Sequence, residues 1–302
     1  MDSIYQEIEA LKKKNNAVIL AHYYVPDEVQ ACADHIGDSF YLSKAAVGLD
    51  ADMIVFAGVT FMGESAKILN PGKTVLMPEP GADCPMAHMA DPEKIRELRG
   101  KYPDLAVVCY INSTAELKTY ADICVTSANA VKIVKGLPNK HIYFIPDRNL
   151  GSYVAGQVPE KDIILNDGCC YVHKEVTPQQ VQKVKEEHPK AEFLVHPECC
   201  QEVLALADFV GSTSEIISYA SQSKGQEFII GTENGVMYEL RQKNPDKIFY
   251  PVAGGQICSG MKSVTLEKVR DCLKYHTGEI LVDEELRRRA YSSLNRMLES
   301  GV

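Results

Sequence analysis

The stretch NAVILAHYY (residues 16–24) decides the fold prediction, because the same kind of run occurs twice more along the chain. The two similar stretches are AVVCYINST (106–114) and EFLVHPECC (192–200). Each is rich in Val, Ile or Leu without strict alternation and ends in polar residues. Such a run is typical of a parallel strand that is buried on both faces. The chain is therefore predicted to repeat one structural unit three times.

Two further motifs follow each of these stretches and support the repeat. The second motif is ADMIVFAGV (51–59), ADICVTSAN (121–129) and ADFVGSTSE (207–215); the third is NPGKTVLMPEP (70–80), LPNKHIYFIPD (137–147) and NPDKIFYPVAG (244–254). Helix-like segments lie between the strands, so each unit is predicted as strand–helix–strand–helix–strand. This alternation indicates an α/β fold with parallel sheets and helices on their faces.

Composition excludes several classes of function. The chain has 302 residues and a net charge of −9, which argues against nucleic acid as a partner because phosphate binding needs a clustered basic surface. No apolar stretch is long enough to span a bilayer, so no membrane partner is expected. The first 16 residues lack the apolar core of a signal peptide, and a cytoplasmic protein is expected.

Cysteine usage points to a metal site assembled from distant parts of the chain. There are ten cysteines and no C-x-x-C pair, which argues against zinc fingers, zinc ribbons and thioredoxin-type sites. Cys84, Cys170 and Cys258 each lie just after the last predicted strand of a unit, at spacings of 86 and 88 residues. Equivalent loops of a threefold arrangement would point these thiols at a common axis. Cys199 and Cys200 are second candidates. Cys32, Cys109, Cys124 and Cys272 lie in helix- or strand-like sequence and are interpreted as small buried apolar residues.

Polar side chains at the strand ends form the predicted active site, because ligands bind beyond the carboxyl ends of parallel strands. The residues at these ends are His22, Tyr24, Tyr110, Asn112, His196 and Glu198. Glu198 is the candidate general acid–base, and the two tyrosines are candidate proton donors. The two histidines are candidate donors or cations for substrate carboxylates or phosphate, although a lone strand-end histidine is more often structural.

Three hydroxyl residues have two interpretations. Ser127 and Thr213 each follow a short strand and precede a helix, and Ser39 has the same character. They are predicted either to cap the helices or to bind an anionic substrate at the helix starts, and both roles can coexist.

The ordered motifs resemble the quinolinate synthase family along essentially the whole chain. The matching segments are LAHYY (20–24), GDS (37–39), FMGESAKILNP (61–71), CYINST (109–114), TSANAV (126–131), PDRNLG (146–151), CYVH (170–173), HPEC (196–199), GSTS (211–214) and CSGMK (258–262). The resemblance implies three α/β/α sandwich domains with parallel sheets, related by pseudo-threefold symmetry around a central cluster. We expect them at residues 1–85 with a C-terminal helix at about 275–302, at 86–171 and at 172–274.

The resemblance also implies an activity. It is the condensation of iminoaspartate with dihydroxyacetone phosphate to quinolinate, with loss of phosphate and two waters, in de novo NAD biosynthesis. One [4Fe–4S] cluster with three cysteine ligands and one open iron would act as a Lewis acid. The ligands fall on Cys84, Cys170 and Cys258, because the spacing to the following Val-His selects Cys170 over Cys169. The strand-end and hydroxyl residues named above would bind substrate, with Glu198, Tyr24, Tyr110 and His196 catalytic. An iminoaspartate-producing aspartate oxidase or dehydrogenase is the candidate protein partner.

Three alternatives remain open from the residues themselves. One is a zinc hydrolase or lyase that uses His22, His196 and Glu198. The second is a non-catalytic module that binds small diacids, and the third is a cluster-based redox sensor.

Overall fold

A computed structural model describes residues 2–252 and 254–300 of the chain. The fold is α/β and contains three parallel four-stranded sheets flanked by helices, as the sequence predicted. The strands are β1 Ala17–His22, β2 His35–Gly37, β3 Met53–Ala57, β4 Thr74–Leu76, β5 Ala106–Tyr110, β6 Ile123–Val125, β7 His141–Ile145, β8 Asp162–Leu165, β9 Glu192–Val195, β10 Phe209–Val210, β11 Glu227–Gly231 and β12 Ile248–Pro251.

The three sheets have one topology. Their strand orders are β2-β1-β3-β4, β6-β5-β7-β8 and β10-β9-β11-β12. In each sheet the first strand pairs in parallel with the third, for example from Ala17 opposite Met53 to Ala21 opposite Ala57. The predicted threefold repeat of the chain is therefore confirmed at the level of topology.

Helices occupy most of the chain between the strands. They are α1 Asp2–Asn15, α2 Asp27–Gln30, α3 Ser39–Gly48, α4 Thr60–Leu69, α5 Pro92–Lys101, α6 Ala115–Lys118, α7 Ala130–Gly136, α8 Arg148–Gln157, α9 Tyr171–Lys174, α10 Pro178–Glu187, α11 Gln201–Leu204, α12 Thr213–Gln222, α13 Val236–Lys243, α14 Ser259–Lys262, α15 Leu266–Tyr275 and α16 Glu284–Ser300, with a 3-10 helix at Pro85–His88.

The prediction of three strands in each unit was wrong, because each unit has four. ADMIVFAGV (51–59) forms the third strand, β3, whereas ADICVTSAN and ADFVGSTSE contain the second strands β6 and β10. The true counterpart in the first unit is ADHIGDS (33–39), which contains β2. LPNKHIYFIPD likewise forms a third strand, β7, and not a fourth. The strands that lie in none of the repeated motifs are β2, β8 and β11, one in each unit. The motifs therefore mark different strands in different units.

The chain divides into two compact units. The first comprises the described residues up to His88, Ile111–Cys124 and those from Ser259 onward; the second comprises Met89–Tyr110 and Val125–Cys258. In the first unit the C-terminal helix α16 packs on α4 and α6, and Ser293 Oγ donates to the carbonyl of Lys118 at 2.9 Å. The three predicted domain boundaries stay a prediction.

The third sheet shows how the cores are built. Phe193, Val195 and Ile229 are completely buried on β9 and β11, and they pack with Val181 of α10 and Val203 of α11. Burial of apolar strands under helices is the main source of stability in this arrangement. No helix in residues 2–252 or 254–300 combines the length and apolar character needed to cross a bilayer.

Replacing Phe193 with Ala is expected to lower the free energy of unfolding by about 3–5 kcal/mol, because the removed ring leaves a cavity in a closed core. Urea unfolding followed by circular dichroism measures this. Leu281, which is 80% exposed, provides the control, and Leu281→Ala should change the free energy by less than about 0.5 kcal/mol. Equal midpoints for both variants would show that the core of the third sheet is misplaced.

Candidate active site

The predicted site residues occupy equivalent positions at the carboxyl ends of the strands. His22, Tyr110 and His196 end the first strand of each sheet or follow it directly, at spacings of 88 and 86 residues. Tyr24, Asn112 and Glu198 follow two residues later, and Ser39, Ser127 and Thr213 follow the second strands with the same spacings. The first and third strands of each sheet lie side by side, and the chain leaves their carboxyl ends in opposite directions along the sheet. Such a point is where open α/β sheets bind ligands.

The two histidines are held in the same way. Nδ1 of His22 accepts the main-chain N–H of Tyr24 at 3.2 Å, and Nδ1 of His196 accepts the N–H of Glu198 at 3.3 Å. Because Nδ1 accepts, the ring proton must lie on Nε2. In His196 this Nε2 donates to Ser127 Oγ at 3.2 Å. Both rings therefore present an N–H donor.

His196 is neutral at physiological pH. Burial lowers its pKa to about 3, with a further lowering from His173, and the nearby Glu198 opposes this effect only in part. Of the two predicted charge states of His196, burial favours the neutral ring, and its role towards substrate stays a prediction.

Glu198 lies at the centre of a buried hydrogen-bonded group in the second unit. Its carboxylate is 2.7 Å from Nδ1 of His173, and both side chains are at most 4% exposed. The hydroxyl of Tyr110 also bonds to it. Burial by itself would raise the pKa of Glu198, but the electrostatic influence of the neighbouring His173 and His196 rings and these two hydrogen bonds together hold it below its ordinary value. Glu198 is therefore an ionised carboxylate with a proton donor on either side.

His173 was missed by the sequence prediction, which used it only to place Cys170. It links three groups, since Nδ1 also lies 3.2 Å from Cys170 Sγ and Nε2 lies 2.9 Å from Thr232 Oγ1. Nδ1 faces a carboxylate and is the donor, so Nε2 accepts from the Thr232 hydroxyl. The signal was the i, i+3 spacing of Cys170 and His173, which puts both side chains on one side of the short helix α9.

Cys170, His173 and Glu198 form a candidate metal group, because their ligand atoms all lie within 4.8 Å of one another. The 2.7 Å between Nδ1 and the carboxylate is a hydrogen-bond distance. Ligand atoms around a tetrahedral zinc ion would be about 3.4 Å apart. The three side chains are therefore hydrogen-bonded to one another and are not spaced as zinc ligands would be. The predicted zinc set is not favoured either, because the Nδ1 lone pair of His196 is already occupied.

The loops that carry the three predicted cysteine ligands are equivalent. In each loop the residue two positions before the cysteine accepts a main-chain N–H from the segment after the third strand. The pairs are Thr60 to Ala82 at 2.8 Å, Arg148 to Gly168 at 2.7 Å and Asn234 to Gln256 at 2.9 Å. This places Cys84, Cys170 and Cys258 at matching positions, whereas Cys169 is one residue out of register. All three thiols are half-buried.

Burial disfavours the thiolate form of four other cysteines. Burial raises the pKa of Cys32 and Cys272 to about 12 and that of Cys199 well above its usual range. Cys200 is half-buried, and burial followed by Glu202 raises its pKa too. The interpretation of Cys32, Cys109, Cys124 and Cys272 as buried residues is confirmed.

Helix capping belongs to residues other than the three predicted hydroxyls. Asp38 caps α3 by accepting from the N–H of Tyr41, and Ser212 caps α12 in a capping box with Glu215. Ser39 and Thr213 are the first residues of those helices, so the capping prediction was wrong by one position for both. Ser127 instead bonds to His196. In the first unit, Asn112 Oδ1 is buried without a hydrogen-bond partner among the described residues, which suits a ligand contact.

Comparison with known proteins gives the same family as the motifs. Residues 6–299 match the family described as Quinolinate synthetase A protein. The chain belongs to the quinolinate synthetase A family. It is 54% identical over 299 residues to the quinolinate synthase of Caldicellulosiruptor saccharolyticus, covering 99% of each chain. It is 50% identical over 297 residues to that of Alkaliphilus metalliredigens, covering 98% of each, and 48% identical over 295 residues to quinolinate synthase 2 of Methanosarcina acetivorans, covering 98% of this chain and 95% of that one.

The chemistry of the three predicted cysteine ligands is compatible with a metal cluster. Three equivalent, half-buried thiols are a soft donor set of the kind that iron–sulfur clusters use. Cys84 lies in the first compact unit, and Cys170 and Cys258 lie in the second.

The neutral state of His196 leads to a pH prediction. The unfolded ring takes up a proton near its ordinary pKa of about 6.5, but the folded ring stays neutral until about pH 3. The stability that His196 contributes is thus fully present above pH 6.5 and is lost progressively as pH falls towards 3. Urea unfolding between pH 6.5 and 4.5 should show a steeper loss in the natural protein than in His196→Gln, by up to about 1.4 kcal/mol per pH unit.

Asp147 acts in the opposite direction in both proteins, since burial and Glu198 raise its pKa to about 7. The difference between the two proteins therefore isolates His196. Identical slopes would contradict a neutral His196.

Proposed function

We propose that this protein is a quinolinate synthase that condenses iminoaspartate with dihydroxyacetone phosphate to quinolinate, with loss of phosphate and two waters, in de novo NAD biosynthesis. The observation that carries the proposal is the buried Glu198 carboxylate, held between His173 and Tyr110 at the carboxyl end of β9. The relatives in the same family that carry the name quinolinate synthase support the choice of reaction.

One [4Fe–4S] cluster is the proposed cofactor, with Cys84, Cys170 and Cys258 as its three ligands. When bound, such a cluster supplies a Lewis-acidic iron at the position without a protein ligand. The equivalence of the three cysteine loops supports this ligand set.

Glu198 is the proposed general acid–base for the dehydrations. Its carboxylate is ionised and ready to take a proton from a substrate carbon or nitrogen, and it can return that proton to a leaving hydroxyl. The Tyr110 hydroxyl donates to Glu198 and is the proposed relay for a proton between substrate and that carboxylate. Burial of this group keeps out water and strengthens each of these interactions.

The remaining strand-end groups are proposed to bind substrate. In the second unit, His196 with Ser127 and the N-terminal residue Thr213 of α12 offer neutral donors for a carboxylate or phosphate. In the first unit, His22, Tyr24, Ser39 and Asn112 are the proposed contacts, and Tyr24 is a further candidate for proton donation. Its ring packs edge-on against His22 at 4.4 Å, and Lys262 Nζ holds its carbonyl at 2.6 Å.

The proposed partners are the two small-molecule substrates and an aspartate oxidase or dehydrogenase that supplies iminoaspartate. The proposed compartment is the cytoplasm, where cysteines stay reduced. All ten cysteines are thiols in the part of the chain that the structure describes.

Replacing Glu198 with Gln should lower kcat by at least about 100-fold, because the amide cannot accept the proton. Iron and sulfide content should not change, since Glu198 is not a proposed ligand. An anoxic quinolinate assay together with metal analysis measures both quantities. Glu202 is exposed and four residues further on, so Glu202→Gln serves as the matched control with normal turnover. Unchanged turnover in Glu198→Gln would remove its acid–base role.

Replacing Cys84, Cys170 or Cys258 singly with Ser should abolish the cluster and the activity together. The natural protein, purified without oxygen, should be brown and contain about four irons with matching sulfide. Cys169→Ser is the matched control because it neighbours a proposed ligand, and it should keep both. Full turnover in any of the three ligand variants would refute the ligand set, and zinc without sulfide in the natural protein would point to a different metalloenzyme.

A further inference from the structure

Two buried carboxylates occupy equivalent positions beside the cysteine loops of the second unit. Asp147 lies two residues beyond the end of β7, and Glu233 lies two residues beyond the end of β11. They are 86 residues apart, as are the strands that precede them, and both are 0% exposed. Neither was identified in the sequence as a site residue.

Each carboxylate joins a helix start to a cysteine. Asp147 accepts the N–H of Leu150, in the first turn of α8, at 2.7 Å through Oδ1, and the N–H of Cys170 at 3.0 Å through Oδ2. Glu233 accepts the N–H of Gly235 at 2.6 Å and the N–H of Cys258 at 3.0 Å. In both cases one carboxylate oxygen bonds to an N–H at the start of a helix, and the other bonds to the N–H of a proposed metal ligand.

The same loops are anchored a second time, two residues before each cysteine. The carbonyls of Gly168 and Gln256 accept N–H groups from Arg148 and Asn234. A Cβ atom on Gly168 would lie only 2.5 Å from the carbonyl oxygen of Pro146, so the loop approaches the strand end too closely for any side chain there. In each loop one hydrogen bond holds the carbonyl two residues before the cysteine, and a second holds the N–H of the cysteine itself. The main chain at each cysteine therefore has little freedom to rotate.

The first sheet shows that the fold does not require these carboxylates. The position equivalent to Asp147 and Glu233 is Val59, which is 1% exposed. Its neighbour Thr60 holds the loop instead, donating to the carbonyl of Ala82 from both its N–H and its hydroxyl at 2.8 Å. A buried carboxylate is costly unless every oxygen is bonded. A carboxylate nevertheless occupies this position in two sheets, although the apolar Val59 is sufficient in the first. This indicates that the two carboxylates have a role at the cysteines.

We propose that Asp147 and Glu233 are positioning residues that fix the main chain of Cys170 and Cys258 so that their thiols are oriented for metal binding. The proposal rests on the proposed function only in naming the [4Fe–4S] cluster as the group bound. The thiols would be held ready for the cluster before it arrives, which reduces the conformational freedom lost on binding.

Asp147→Asn and Glu233→Gln test this in the full-length chain, because either amide must turn its NH₂ group towards one of the two N–H donors. Hydrogen–deuterium exchange of peptides that span Cys170 or Cys258 reports the hydrogen bond directly. We expect the natural protein to protect these two amides. Each variant should exchange its own cysteine amide roughly 10- to 100-fold faster, the range expected when a buried N–H loses its acceptor.

The second measurement is the rate at which reconstituted protein loses iron to a chelator under anoxic conditions, followed by visible absorbance. Each variant should lose iron at least about tenfold faster than the natural protein. Asp91→Asn is the control, since Asp91 also accepts a main-chain N–H at a helix start but is exposed and bonds to no cysteine. It should leave both rates unchanged, which separates positioning of the cysteines from general loosening of helix caps.

Cysteine amides that exchange without protection in the natural protein would overturn the proposal, and this arm holds even if a variant fails to fold. Normal exchange and normal iron retention in both folded variants would overturn it as well. If the natural protein takes up no cluster, the proposed cofactor fails, and amide exchange alone decides whether the carboxylates hold the two loops.

Discussion

The parallel pairing of the first and third strand in each sheet is the constraint on which the rest of the structure depends. The register of these two strands brings both carboxyl ends to one edge and leaves the following loops to diverge from it. In the third sheet that edge carries His196 and Glu198 after one strand and Thr232 and Glu233 after the other. All the candidate chemistry of the second unit lies within a few residues of such an edge, and the buried cores below keep these ends in place.

The buried pair of His173 and Glu198 shows what this rigidity allows. Removing two titratable groups from water costs free energy, which only a complete set of partners offsets. Here the carboxylate has His173 and Tyr110, and the imidazole has Thr232 on its other side. His196, stacked on His173 with ring centres 4.8 Å apart, remains neutral because burial and the neighbouring His173 both disfavour its charged form, and Glu198 opposes them only in part.

The three cysteine loops combine one shared interaction with one difference. The main-chain bond two residues before each cysteine occurs in all three sheets, as expected for copies of one unit. The side chain beside it differs, being Val59 in the first sheet and a carboxylate, Asp147 or Glu233, in the other two. The shared main-chain hydrogen bond stabilises the loop in every copy, and the side chains that differ give each copy its own chemistry. The same division holds at the strand ends, where Tyr110 takes the position that a histidine, His22 or His196, has in the other two sheets.

The sequence by itself determined the α/β class, the threefold repeat, the long helices and the candidate cysteines, because apolar strands and spacings of 86 and 88 residues are visible in one dimension. It did not determine β2, β8 and β11, which lie in none of the repeated motifs and are placed by pairing with a neighbouring strand. Only the tertiary structure decided that His196 is neutral, that His173 links Cys170 to Glu198, and that Asp147 and Glu233 hold cysteine loops. Burial and partner distance fix a side chain's charge and role, and both depend on residues that are far away in the chain.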